Sequence, residues 1–244
     1  MISGCQKEEN SLKHLQTGCL TQVFSVPSWY SDSIFFTDNT ISLIKKSYRN
    51  HSEKNTQSRF EYNGNEVKIH VRDFYWDSWR DVIYYNLSFE DGKISQVETN
   101  SGRVRANYFY ENNNLKYILY HREGNLSDSI AVQWSVNGNN ISRALWFKFD
   151  QADKKYELAN TADYFYDDKV NPHRNSIHFL YDFYDCEEYS LDYFNMNNLK
   201  TIKSNYHNIH SEYTYNDYNY PVYIIFYDET NQETDRNMFD YSCK

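Results

Sequence analysis

Proline and glycine are scarce in this chain, 3 and 7 among 244 residues. No Pro- or Gly-rich segment therefore marks a linker. Long apolar runs are missing too, so no stretch reads as a membrane-spanning helix. The charge lacks a basic bias: the net value is −9, and the lysine pairs Lys45-Lys46 and Lys154-Lys155 stand alone. Without a basic stripe, nucleic acid is not an expected partner. There is no G-x-S-x-G elbow, no Walker loop and no dinucleotide fingerprint, so neither a catalytic nucleophile nor a cofactor is expected.

Aromatic side chains are plentiful, at 18% with 25 tyrosines. Mean hydropathy is −0.87, a value that suggests disorder until the tyrosines are considered. A tyrosine ring buries apolar area while its hydroxyl stays hydrogen-bonded, so it suits a half-buried sheet face.

The aromatics are spaced by twos around Asn-rich bends. In 211–228, Tyr213 and Tyr215 precede Asn216, Asp217 and Asn219, and Val222, Ile224 and Phe226 follow. Side chains two apart share one face of a strand, and Asn and Asp favour the reversal between them. The same grammar recurs at 59–71 across Asn63-Gly64-Asn65, at 85–97 across Asp91-Gly92, and at 106–119 across 112–114. It recurs again at 131–149 across Asn137-Gly138-Asn139, at 190–204 across 195–198, and at 161–180 with an insertion at 169–176. Asp-Gly and Asn-Gly supply the positive φ that tight hairpins need. Seven such units predict an all-β antiparallel meander of repeated hairpins, forming a rolled or barrel-like sheet of about fourteen or more strands. A transmembrane barrel alternates in the same way, but Glu61, Lys68, Lys116 and Lys203 fall inside the expected strands and argue against it. The segment 230–244 reads as a polar edge cover.

The start of the chain suggests an address. Ile2-Ser3-Gly4-Cys5 resembles a bacterial lipobox, and Gln6-Lys7-Glu8-Glu9 resembles the acidic export signal that follows the lipidated cysteine in surface lipoproteins of Bacteroidetes. The resemblance implies lipidation of Cys5, a lipid anchor in the membrane, and an outer-membrane, surface-exposed location in the bacterial envelope. The expected organisation is a signal remnant and tether over 1–19 and one all-β domain over 20–244. With Cys5 acylated, Cys19, Cys186 and Cys243 allow one disulfide with three possible pairings.

A second resemblance rests on Tyr164-Phe165-Tyr166-Asp167-Asp168, the Asp-Lys-x-Asn-Pro loop that begins at Asp168, and the hairpin led by Asn197-Asn198-Leu199. This succession is similar to a family of Bacteroidetes lipoproteins of unknown function built from hairpins like tyrosine–aspartate repeats. It implies a rolled sheet, porin-like in outline but soluble, and no catalytic residues.

Candidate sites are sparse. Trp76 and Trp79, flanked by Asp77 and Asp81, would suit a sugar-stacking platform, although a core plug or strand crossing explains them more simply. His207 and His210 alternate across a strand and so do not form a preset metal pair, and no metal is expected. Asp163, Asp167 and Asp168 lack the glycine turn of a calcium loop. Asp182, Asp185, Glu187 and Glu188 read as solvated surface. The function expected is a non-enzymatic envelope lipoprotein, either a scaffold or a binder of a glycan or an envelope protein. The alternative is a glycan hydrolase with paired carboxylates at one rim.

Overall fold

The computed structural model describes residues 19–243 apart from 27–29, 38–39, 51–54, 76–77, 100–103, 123–124, 173, 175–188 and 207. Sixteen strands follow one another: β1 (Cys19–Val26), β2 (Tyr30–Thr37), β3 (Thr40–Tyr48), β4 (Thr56–Asn63), β5 (Glu66–Tyr75), β6 (Ser78–Glu90), β7 (Lys93–Thr99), β8 (Val104–Glu111), β9 (Asn114–Arg122), β10 (Asn125–Trp134), β11 (Ile141–Asp150), β12 (Lys155–Val170), β13 (Asn197–Ser204), β14 (Asn208–Tyr215), β15 (Pro221–Tyr227) and β16 (Glu233–Cys243). Each pairs antiparallel with its successor, and β16 pairs with β1, so the meander closes into a barrel. The expected all-β meander is what forms. The segment 230–244 is no edge cover; it supplies β16, which hydrogen-bonds on both sides.

Local chemistry explains the turns. Asp91 and Gly92 both have positive φ (49° and 74°), as do Asn112 and Asn113 (51° and 70°). These are two-residue turns between Glu90↔Lys93 and Glu111↔Asn114. Their twist matches that of the strands they join.

Alternation then sorts the side chains. Val67, Ile69, Leu87, Ile94, Ile118, Ile130 and Ile141 are buried in one cluster, while Arg59, Glu61, Lys68, Lys116, Arg143 and Lys203 are exposed. A lipid-embedded barrel needs the reverse, an apolar outer belt around a polar lumen. A charged outward side chain at the bilayer midplane costs about 2–4 kcal/mol.

One rim carries a repeated hydrogen bond made by five of the tyrosines and one tryptophan. In six hairpins the register slips just after the turn, and the first inward residue of the returning strand lies beyond the ladder to the next strand. A ring hydroxyl from that next strand takes its carbonyl instead. Tyr62 donates to Ile41 O at 3.0 Å, Tyr110 to Ile94 O at 2.9 Å, and Tyr166 to Ile141 O at 2.8 Å. Tyr241 donates to Pro221 O at 2.7 Å, and Tyr213 donates to Leu199 O. The Trp134 indole donates to Leu115 O at 2.7 Å. Hairpin β4–β5 has no slip, and the next ladder runs on through Val67↔Leu87 to Glu66↔Ser88. The corresponding ring there is Phe89, which has no hydroxyl, and the continuous ladder calls for none.

Candidate functional site

The break in the meander lies between β12 and β13. These strands pair as far as Val170↔Asn197, so the insertion runs over 171–196 and not 169–176. The expected hairpin at 190–204 does not form. Tyr189–Phe194 is a 3-10 helix, and the return strand β13 pairs with β12. Two of the units expected from sequence are therefore one hairpin with a long insertion.

The 3-10 helix is a plug. Leu191 and Tyr193 are buried in the same cluster as the inward residues of the strands. The ring of Phe194 lies 6.1 Å from that of Tyr108 and 5.0 Å from that of Tyr193. Burial pushes the hydroxyls of Tyr108, Tyr110 and Tyr193 well above the usual tyrosine range.

Asparagines hold this plug. Asn195 is 1% exposed. Its Oδ1 accepts the N–H of Ile141 at 2.7 Å, its Nδ2 donates to Leu191 O at 2.9 Å, and its own carbonyl accepts Asn171 Nδ2 at 3.2 Å. Asn140 Oδ1 accepts the N–H groups of Met196 and Asn197 at 2.9 and 3.0 Å, and its Nδ2 donates to Asn197 Oδ1 at 2.9 Å. Asp167 closes the network. It accepts the Lys169 and Asn198 N–H groups at 2.9 and 3.2 Å and the hydroxyl of Tyr215. Burial, and then the bond to Asp167, push the Tyr215 hydroxyl upward. Buried polar groups are stable only when paired. These side chains pair the main-chain groups that the insertion takes out of the ladder.

A second polar place interrupts the interior on β2. Asp32 is 0% exposed and stands directly across the ladder from Lys46, whose ammonium lies 4.4 Å from the Tyr30 ring centroid. On β5 and β6, Arg80 grips Asp73 through two bonds of 2.7 and 2.9 Å and holds its carboxyl below the usual carboxylate range.

Among the described residues, those singled out in the sequence do not converge. Cys5, Trp76, Cys186, His207, Asp182, Asp185, Glu187 and Glu188 lie outside the described residues. Trp79 starts β6 opposite Phe74, with the two rings edge-on at 5.4 Å. It is part of a hairpin with Tyr75↔Ser78 at its end, so β5 and β6 continue the meander here and no crossing forms. The ring of His210 stacks on Tyr227 at 4.8 Å. Asp163 faces outward to Arg143 at 2.5 Å, Asp167 is in the network, and Asp168 lies 3.5 Å from the Lys169 ammonium. The sequence reading missed Asn140, Asn171, Asn195 and Asp32. Counting back by twos from the buried Ile34 would have placed Asp32 inward.

No family model matches the chain, and no curated protein does. Solved structures do. A porin-like protein from Bacteroides uniformis superposes with a TM-score of 0.55 at 12% identity, covering 93% of this chain and 95% of its own. A porin-like protein from Bacteroides vulgatus gives 0.58 at 11% identity, covering 91% and 99%. At that identity the likeness is one of fold.

Proposed function

We propose that this chain is a non-enzymatic protein of the bacterial cell envelope, held to the outer membrane by lipid on Cys5 and acting as a scaffold or binder of glycan or envelope protein. The observation that carries this reading is the filled interior. Among the described residues, apolar side chains of the strands and the 3-10 plug occupy the interior, as suits a scaffold. Asp167 is held by Tyr215, and Asp73 by Arg80. The porin-like fold supports an envelope setting by analogy.

A binder then works from its outer wall. Phe109 and Tyr117 stack there at 4.4 Å, and the register continues outward through Ala131 to Leu145. Trp76 and Trp79 are the proposed sugar-stacking pair.

Mass spectrometry of the protein from its native host tests the anchor. Acylated Cys5 as the first residue is expected, and an unmodified Met1 would refute it. A glycan array tests the binder with Trp76→Ala and Trp79→Ala. Loss of a signal in either variant supports the platform, and unchanged binding in both removes it.

A further inference from the structure

The barrel is closed by a ladder unlike the others. Every other pairing joins strands that follow one another in the chain, whereas β1 and β16 bring together segments more than two hundred residues apart. That ladder runs from Cys19↔Cys243 to Ser25↔Met238. Two of the four cysteines in the chain thus stand opposite each other at its outermost rung. With so few cysteines, a chance meeting at that rung is a rare coincidence.

The register alone sets the reach. Opposed residues of antiparallel strands have Cα atoms about 4.5 Å or about 5.5 Å apart, depending on whether the pair is hydrogen-bonded. A disulfide spans Cα separations of about 4.4–6.8 Å, so either kind of pair falls inside its range. Of the three pairings that composition permits, this is the one the topology brings together among the described residues.

We propose that Cys19 and Cys243 form a disulfide that fastens the seam of the barrel. The oxidant is a protein or small-molecule disulfide of the envelope. One cysteine thiolate attacks it, forming a mixed disulfide and releasing one oxidant sulfur as thiolate. The second cysteine thiolate then attacks the first cysteine's sulfur and displaces the remaining oxidant sulfur. One S–S bond forms in the protein, one is lost from the oxidant, and two electrons pass to the oxidant, which leaves as a dithiol if its disulfide was intramolecular and as two thiols if it was not. The seam is where such a link has most effect. Its ends carry the longest loop-closure cost, and its own cluster, around Ile224 and Phe239, is separate from the main core. The setting rests on the envelope reading given above, because thiols stay reduced in the cytosol.

The test separates the two ideas. The full chain carrying Cys5→Ser is refolded in a buffer of reduced and oxidised glutathione, then digested without reduction. A peptide pair linking Cys19 to Cys243, two hydrogen masses lighter than the free peptides, is expected, and Cys186→Ser should leave it in place. Reduction should lower the urea midpoint of this protein. Free thiols at both positions in the folded protein, or Cys186 joined to either, would overturn the proposal. If Cys19→Ser or Cys243→Ser fails to fold, the comparison of oxidised with reduced parent protein still decides. Thiol trapping in the native host then reads the location separately: a linked pair in the refolded protein with free thiols in the cell would refute the envelope setting and not the pairing.

Discussion

The hydroxyl of Tyr110 donates to the main-chain oxygen of Ile94 at 2.9 Å, at a point where the ladder between β7 and β8 has already stopped at Gln96↔Asn107. The bond is a substitute for a rung. The same replacement at Tyr62, Tyr166, Tyr213, Tyr241 and Trp134 lets neighbouring hairpins splay at one rim without leaving carbonyls unpaired.

Tyr110→Phe and Tyr166→Phe should each destabilise the protein by about 1–2 kcal/mol, because a buried carbonyl loses its donor. Phe89→Tyr should stabilise nothing, since the Val67 ladder is already complete. Urea denaturation of the three variants checks this. A stabilising Phe89→Tyr would contradict the account.

Asn195→Ala should remove the acceptor of the Ile141 amide and cost about 1–3 kcal/mol for the buried donor left behind. Exchange of the Ile141 amide hydrogen should accelerate more than that of Ile69, a core residue on β5. Equal protection in variant and parent would show that the clamp does not hold the insertion.

Alkali should unfold the protein through its inward tyrosines. Burial pushes the Tyr62 hydroxyl from 10.0 up to about 12. A raised folded pKa favours the protonated form. The contribution is therefore whole below the unfolded value, about 10, and is lost as pH rises from there through about 12. Ultraviolet titration should show the buried hydroxyls ionising above the usual tyrosine range, together with loss of the sheet signal. Smooth ionisation of every tyrosine near pH 10 would refute this.

The non-acylated protein should refold from urea in plain buffer, with the same sheet content in the presence and absence of detergent. The charged outer wall and apolar interior require this. A requirement for detergent would mean that the observed sorting of side chains is not the one that folds.

Much of this fold was legible because β periodicity is local. Tyr62 and Val67, or Phe89 and Ile94, sit at fixed distances from their turns, and a two-residue bend leaves one register open. What was not legible was the second use of asparagine. At 112–114 it bends the chain; at Asn195 it is buried and pairs main-chain groups. In the sequence both are runs of Asn before an apolar residue, so 195–198 reads as another bend and the plug as a strand. At Trp79 a dense aromatic cluster suggests a plug or crossing, whereas the residue sits one rung from the Tyr75↔Ser78 end of its hairpin. Closure by β1 and β16 also lay beyond a local signal, since nothing near Cys19 indicates its neighbour at Cys243.

That closure has a kinetic consequence. Fifteen of the sixteen ladders join immediate neighbours in the chain, so they can zip from any starting hairpin with little search. The last joins the two extremities and must wait until the intervening strands have ordered. Assembly should therefore pass through an open curl, complete except at one edge pair, and its slowest step should be the meeting of β1 with β16. Until then two bare strand edges face solvent, and the risk of edge-to-edge association is concentrated in that interval.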